Sequence, residues 1–318
     1  MAKNKSPGIN KKNANTFIRG FRKREEGIEM KILPFDESLR LTNNDGSLEF
    51  FFLGTGSAFV KQNFQNNLLI IKGEDHLLVD CGSQCPIAFH KYKSAIMKVQ
   101  NVFISHSHSD HAGGVEELAL MHRYVTKTRP KIYINDSYKE LLWNETLKGG
   151  LSYGENRETP YNKDVPGHYL SFDDYFEQIK PRPLCLVPRP MWEFRCGSIN
   201  VKFFRTMHMP DGVPSWKESA WSTGILVDNR ILFPADTRFD PELLSWIEAS
   251  YHPEYIFHDC QSYTGGVHTS IDELKSLDSA IKEKIFLCHY ADNFVNYDAK
   301  ENGFAGMTQP GVYYNFDA

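Results

Sequence analysis

Apolar and polar residues alternate in short blocks along most of this 318-residue chain. Apolar runs that end in Gly, Asn or Asp predict buried strands entering turns. The predicted strands cover residues 48–53, 68–71, 76–82, 102–104, 131–134, 199–205, 220–227, 231–233, 255–257 and 285–288. Apolar residues at helical spacing predict helices at 86–98, 115–127, 137–147 and 243–249, with another beginning at Ile271. Because strands and helices alternate along both halves, the pattern indicates an α/β fold.

Two segments depart from this alternation. Residues 1–30 are rich in Lys and Arg up to the first acid, Glu25, and contain few apolar residues, which predicts a flexible basic segment. The other interpretation is a basic arm that binds nucleic acid or another polyanion. We predict that residues 31–318 form a single domain with a loop-rich insertion at about 148–197, where prolines and aromatic residues crowd together. The insertion could serve as a lid, a dimer contact or a substrate wall.

The composition sets broad limits on function. Hydrophobic residues make up 41% and charged residues 24% of the chain, and the net charge is −4, so the body has no global attraction for nucleic acid. No apolar run is as long as a membrane span, and the first residues lack the apolar segment of a signal peptide. The six cysteines have no C-x-x-C spacing, which is typical of reduced thiols. We therefore expect a cytoplasmic protein without a membrane partner.

The densest candidate chemistry follows the strand at 102–104. The segment Ser105-His106-Ser107-His108-Ser109-Asp110-His111 contains two histidines two positions apart, then an acid and a third histidine. His106 and His108 project the same way from an extended backbone, whereas Asp110 and His111 lie in the turn and can face a second point. This spacing suits two adjacent metal ions better than one. Imidazole and carboxylate ligands suit Zn²⁺ or Fe.

Later strand ends offer further ligands. His208, Asp236 and His289 each follow a predicted strand, and strands with short loops bring such residues to one rim of a sheet. Any one of them alone would more often be satisfied by a local hydrogen bond, but their repetition favours one cluster. Asp80 ends the strand at 76–82, where it either orients a ligating histidine or only forms a turn.

The histidine-rich segment, followed by Ala112-Gly113-Gly114, resembles the H-x-H-x-D-H signature of the metallo-β-lactamase fold. The order of His208, Asp236 and His289 after it matches the later motifs of that family. The resemblance covers about residues 48–292. It implies an αββα sandwich, in which two mixed β-sheets lie face to face with helices outside and a dinuclear site at one edge.

The resemblance also implies a ligand set for two divalent metal ions. Zn²⁺ is favoured, with Mn²⁺ or Fe as alternatives. One ion would be held by His106, His108 and His208. The other would be held by Asp110, His111 and His289, with Asp236 as the bridging ligand.

Two further motifs, His258-Asp259 and His268-Thr269-Ser270, are similar to those of the phosphodiesterase branch of this fold, which includes RNase Z and cyclic-nucleotide phosphodiesterases. Asp259 stands where the endonucleases often carry Glu. The chain has no long Gly/Pro-rich arm of the kind that grips tRNA, and its acidic body also disfavours a folded RNA. We therefore expect a small phosphodiester substrate, with a cyclic nucleotide favoured, and a homodimer, as is common among related small phosphodiesterases.

The expected reaction is attack on phosphorus by a hydroxide that bridges the two metal ions. The predicted catalytic residues are Asp110, His268 and Asp259. His268 would protonate the leaving oxygen and would be oriented by Asp259. Thr269 and Ser270 are predicted to bind substrate, and Ser270 is also a plausible N-cap of the helix that begins at Ile271.

Other functions remain open from the sequence, including those of thioesterase- or lactonase-like hydrolases of the same fold. An RNase Z-like tRNA 3′-processing endonuclease would use the same seven ligands, and the basic segment 1–30 favours it. A non-hydrolytic di-iron protein that binds oxygen or another ligand could use the same His and Asp set. Activity on cyclic nucleotides and on precursor tRNA distinguishes the phosphodiesterase from the RNase Z-like endonuclease. Iron content and visible absorbance test the di-iron protein.

Overall fold

The strand Leu48–Gly54 is buried on both faces, and its alternating side chains define the layers of the molecule. In this computed structural model, which describes residues 30–153, 169–294 and 296–317, Phe51 joins a buried cluster that includes Phe89 of a flanking helix. Phe52 points the other way, and its ring lies 5.1 Å from that of Phe257 in a second sheet. Because successive side chains of a strand face opposite sides, this strand separates a helix layer from the space between two sheets.

Each sheet has eight strands among the described residues. The first has the order β1-β16-β2-β3-β4-β5-β6-β7. Its strands are β1 Lys31–Pro34, β2 Leu48–Gly54, β3 Asn67–Lys72, β4 Asp75–Val79, β5 Asn101–Phe103, β6 Lys131–Tyr133, β7 Glu177–Ile179 and β16 Val312–Asn315. The second has the order β15-β14-β13-β12-β11-β10-β9-β8. Its strands are β8 Arg182–Cys185, β9 Met191–Cys196, β10 Ile199–Arg205, β11 Thr223–Val227, β12 Ile231–Phe233, β13 Tyr255–Asp259, β14 Ile285–Cys288 and β15 Gly306–Met307.

Helices cover the outer faces of both sheets. Their bounds are α1 Cys85–Lys91, α2 Ser109–Ala112, α3 Val115–Met121, α4 Asp136–Leu141, α5 Lys148–Leu151, α6 Phe172–Tyr175, α7 Pro241–Tyr251, α8 Ile271–Lys275 and α9 Ser279–Lys282. Short 3₁₀ turns lie at Ile96–Lys98 and Asp292–Phe294, and π-helical turns at His122–Thr126 and Leu142–Leu147. Phe89 and Leu118 pack on the first sheet, and Leu243 and Ile247 on the second. The predicted αββα sandwich of two mixed sheets is confirmed.

The two sheets share the same order of antiparallel and parallel strand pairs, and this order positions the site. In each, antiparallel pairs give way to parallel ones: β4, β5, β6 and β7 are parallel in the first, and β12, β13, β14 and β15 in the second. β10 runs in the same direction as β12, because β11 is antiparallel to both. The strands that precede the histidine-rich segment, His208, Asp236 and His289 therefore deliver these residues at carboxyl-terminal strand ends.

The expected loop-rich insertion at 148–197 contains more regular structure than the sequence indicates. β7, β8 and β9 all lie in this stretch. The loop prediction was based on its prolines, but Pro183 lies in β8, the edge strand of the second sheet, where a missing N–H costs no ladder hydrogen bond. Residues 154–168 of the insertion, and almost all of the basic segment 1–30, lie outside the described residues. Within the described residues, no helix has the length and apolar character needed to cross a membrane.

Candidate metal centre

The carboxylate of Asp80 holds the histidine-rich segment in place. It follows β4 in a left-handed conformation, with φ 66°, and is fully buried. Its carboxylate accepts the Ser105 backbone N–H at 2.7 Å and the Ser105 hydroxyl at 2.8 Å. The Asp80 carboxylate also lies 2.7 Å from Nδ1 of His111. Of the two roles left open by the sequence, the structure gives Asp80 the contacts of a residue that orients a histidine.

Close backbone packing fixes Asp110. The amide of Asn67 donates to the backbone oxygen of Asp110 at 3.1 Å and accepts from the N–H of Gly82 at 2.6 Å. A Cβ on Gly82 would lie 1.9 Å from the same Asp110 oxygen, so only glycine fits there. Sequence reasoning missed Asn67, whose only signal is a pair of amides where a strand begins.

Three histidines and one acid form what we call the first ligand group: His106, His108, His208 and Asp236. One nitrogen or oxygen from each lies within 4.8 Å of the others. Nε2 of His106 is 2.9 Å from Nδ1 of His108, and Nε2 of His208 is 3.2 Å from the same nitrogen. His208 comes from the second sheet, so the group spans both sheets.

The second ligand group contains Asp110, His111, His289 and again Asp236, all buried, with their ligand atoms also within 4.8 Å of one another. Nε2 of His289 is 3.2 Å from a carboxylate oxygen of Asp110. Oδ2 of Asp236 is 3.1 Å from Nε2 of His111 and 3.4 Å from Nε2 of His289. The structure thus brings together all seven predicted ligands in two groups that share Asp236.

The donor set fits divalent cations. Oδ1 of Asp236 is buried and has no hydrogen-bond partner among the described residues, as expected of an oxygen that faces a cation. Burial lowers the pKa of His106 well below its usual range and that of His208 to about 4, so both are neutral as metal ligands must be. Burial acts to raise the pKa of Asp236, but the His111 and His289 imidazoles outweigh it and hold the acid ionised.

Three carboxylates surround His111 and favour its protonated form. Burial acts to lower its pKa, but Asp236, Asp110 and Asp80 outweigh burial and raise it well above the usual value. The imidazole therefore carries the positive charge that these carboxylates require when no cation is bound. A divalent ion bound to Nε2 would replace that proton, because ligating imidazole must be unprotonated there.

The predicted proton donor lies beside both groups. Nδ1 of His268 is 3.0 Å from Oδ2 of Asp259 and 3.9 Å from Oδ2 of Asp236, and its side chain is 22% exposed. The Thr237 N–H donates to the same Asp259 oxygen at 3.3 Å. Burial acts to lower the pKa of His268, but Asp236 and Asp259 outweigh it and raise the pKa to about 9. His268 and Asp259 thus have the mutual geometry expected of an oriented acid.

Thr269 and Ser270 do not face this space. Both are at most 1% exposed. The Thr269 hydroxyl donates to the backbone oxygen of Thr237 at 2.9 Å. The Ser270 hydroxyl accepts from the Glu273 N–H and caps helix α8. The hydroxyls of both residues therefore have internal contacts, Thr269 to the backbone of Thr237 and Ser270 to the first turn of helix α8.

Asp80→Asn tests the anchoring of His111. We expect metal affinity to fall on the order of tenfold or more, because an amide can present its N–H to Nδ1 and favour the wrong tautomer. The measurement is metal competition with a chromophoric chelator. Asp75→Asn is the matched control, since Asp75 lies at the other end of the same strand and accepts the Ser198 N–H at 2.6 Å. Equal affinities in Asp80→Asn and the parent would contradict the role of Asp80.

Two mixed sheets with a double His and Asp group at their common edge define a protein of the metallo-β-lactamase fold. Among solved structures, the chain is similar to the metallo-β-lactamase-fold protein YhfI from Bacillus subtilis, with a TM-score of 0.60 and 16% identity over 84% of this chain and 99% of that one. It is also similar to the short form of human tRNase Z, with a TM-score of 0.55 and 14% identity over 85% and 100%.

The sequence comparison is more specific than the fold. The model of the family described as Anti-Pycsar protein Apyc1 matches residues 48–314, and the chain belongs to this family. It is 33% identical over 271 residues to the Anti-Pycsar protein Apyc1 of Paenibacillus sp. (strain J14), covering 84% of this chain and 99% of that protein. All seven predicted ligands lie within the matched segment.

Proposed function

We propose that this chain hydrolyses a phosphodiester bond of a cyclic nucleotide at a dinuclear metal centre. Proteins of the Anti-Pycsar family degrade cyclic nucleotides, and this member is a metal-dependent hydrolase that acts on phosphodiesters. The observation that carries the proposal is the pair of buried ligand groups joined by Asp236, inside the segment that matches the family. The family match favours this function over the non-hydrolytic di-iron protein.

In this proposal the first ligand group holds one metal ion and the second group holds the other, with Asp236 shared. The predominance of histidine favours Zn²⁺, and Mn²⁺ and Fe are the alternatives. When bound, the ions supply an acidified water and positive charge next to the phosphate. The surrounding residues hold the ligands in place: Asp80 supports His111, and Val267 accepts from Nδ1 of His208 at 2.8 Å, which leaves Nε2 for coordination.

His268 is the proposed general acid. Its Nδ1 proton is directed at Asp259, which leaves Nε2 to carry the proton that the leaving oxygen needs. The ring centroids of His268 and His289 are 4.8 Å apart, so the His268 imidazole lies beside a member of the second ligand group. Asp259 is a positioning residue in this scheme, because its carboxylate is buried and contacts Nδ1 of His268.

The test is an activity panel on the full chain loaded with zinc or manganese. We expect cyclic mononucleotides to be converted to nucleoside monophosphates, detected by chromatography, and precursor tRNA to stay intact. Protein treated with a strong chelator is the control and should be inactive until metal is restored. Cleavage of precursor tRNA, with all cyclic nucleotides unchanged, would replace the proposal with the RNase Z-like alternative, which the basic segment 1–30 favours.

Location and assembly complete the proposal. All six cysteines are free thiols, five of them buried, which supports a reducing cytoplasm. A homodimer is proposed because exposed aromatic rings lie within the insertion at 148–197. Tyr153 and Tyr169 are 67% and 59% exposed, and their ring centroids are 5.5 Å apart. Light scattering of the purified chain gives the mass that tests this assembly.

A further inference from the structure

Gln261 closes the loop that carries His268. The residue follows β13, and its backbone N–H donates to Thr269 O at 2.8 Å while its own oxygen accepts from the Ile271 N–H at 2.9 Å. These bonds join the two ends of the segment 261–270, which we call the Gln261 loop. The loop leaves the second sheet and returns to helix α8.

The side chain of Gln261 turns into the loop that its backbone closes. The residue is 9% exposed. Its Nε2 donates to Tyr263 O at 2.8 Å and also to Gly265 O. Gly265 and Gly266 both have positive φ, +97° and +81°, which glycine adopts without strain. Because neither residue has a side chain, side-chain contacts of these two residues cannot stabilise the turn. One amide therefore satisfies two carbonyls at the turn of the loop.

The second half of the Gln261 loop contacts both a predicted metal ligand and the residue that orients the proposed general acid. The backbone oxygen of Val267 lies 2.8 Å from Nδ1 of His208, a member of the first ligand group. The next residue, His268, is held at 3.0 Å from Asp259. The rings of His208 and His268 have centroids 5.0 Å apart. A shift of this half of the loop would move a carbonyl away from His208 and the imidazole of His268 away from Asp259 together.

We propose that Gln261 is a positioning residue that, through its two side-chain hydrogen bonds, sets the orientation of both His208 and His268. The proposed effect on His208 concerns metal binding, whereas the proposed effect on His268 rests on the proposed function. Substitution of a residue that orients a metal ligand from outside the coordination sphere typically lowers metal affinity or activity by about 10-fold to 100-fold. We expect a loss of this size when Gln261 is replaced.

Gln261→Met removes both donors and keeps a side chain of similar length. We expect zinc affinity, measured by chelator competition, to fall on the order of tenfold. We also expect kcat for a cyclic mononucleotide to fall by at least a similar factor, with a smaller change in KM. Gln261→Glu is the second variant, since its carboxylate cannot donate at neutral pH. Its added negative charge would strengthen cation binding, so a loss of affinity in this variant reports the lost hydrogen bonds rather than charge.

The matched control is Gln178→Met. The amide of Gln178 also donates to a backbone oxygen, that of Ile134 at 3.3 Å, but it lies on β7, away from both ligand groups. This variant should keep the zinc affinity and kcat of the parent. If Gln261→Met does not fold, Gln261→Asn takes its place, because its shorter amide cannot reach both carbonyls.

Parent-like zinc affinity and kcat in Gln261→Met or its replacement would overturn the proposal. Losses confined to KM, or equal losses in Gln178→Met, would also overturn it. If the parent itself fails to hydrolyse cyclic nucleotides, the proposed function fails, whereas the zinc affinities of the parent and Gln261 variants still decide whether Gln261 orients His208.

Discussion

Asp236→Ala is expected to lose at least one metal ion per chain and to reduce phosphodiester hydrolysis by roughly a thousandfold or more. Asp236 is the only acid that the two ligand groups share among the described residues, and its Oδ1 has no other partner there. A bound metal ion contributes several kcal/mol of charge stabilisation, and each 1.4 kcal/mol is about tenfold in rate. Metal analysis of the purified variant gives the ion count, and a cyclic nucleotide assay in saturating zinc gives the rate.

Asp240→Ala is the control for this prediction. Asp240 is also buried, but it accepts the Leu243 N–H at 2.9 Å as the cap of α7 and pairs with Arg189 at 2.9 Å. Its loss should lower the free energy of unfolding by about 1 kcal/mol or more, as the loss of a helix cap does, without changing the metal count. An Asp236→Ala protein that keeps the parental metal content and rate would remove Asp236 from the centre.

The ligand set could be proposed from sequence because its members follow apolar strands whose ends are easy to locate. The predicted strands 199–205, 231–233 and 285–288 have the bounds of β10, β12 and β14, and each leads within three residues to a His or Asp of the groups. Residue type and strand direction therefore predict that these residues meet at one edge, whereas their division between two metal ions is implied by the resemblance to the metallo-β-lactamase fold. Thr269 and Ser270, predicted to bind substrate, have internal contacts in the structure, and Ser270 caps helix α8 because a hydroxyl at a loop end readily takes that role.

Other features had no signal that a single sequence can show. β16, only four residues long, pairs with both β1 and β2, although nearly 270 positions separate Glu49 from Asn315. Strand pairing across such a distance depends on the whole fold, not on local pattern. The carbonyl of Val267 acts on His208 through its backbone, so its side-chain identity says nothing about that role. Gln261 was missed because a single glutamine in a loop has no typical function.

His268→Ala is expected to reduce cyclic nucleotide hydrolysis on the order of a hundredfold or more while the chain keeps its metal ions. His268 belongs to neither ligand group, which explains the retained metal, and a general acid typically contributes that much to a rate. The loss should depend on the leaving group. A nitrophenyl phosphodiester expels a phenolate that needs no proton, so its hydrolysis should fall far less than that of a cyclic nucleotide.

Two comparisons separate proton donation from a structural effect of His268. Asp259→Asn should reduce the same substrate-dependent step, and the double variant should be little worse than His268→Ala, because the two residues act as one unit through their 3.0 Å contact. His252→Ala, at an exposed histidine beyond α7, should match the parent in every assay. Equal losses on the cyclic nucleotide and the nitrophenyl ester would show that His268 does not protonate the leaving oxygen. A loss of metal in His268→Ala would instead make His268 a ligand, through its group with Asp236 and Asp259.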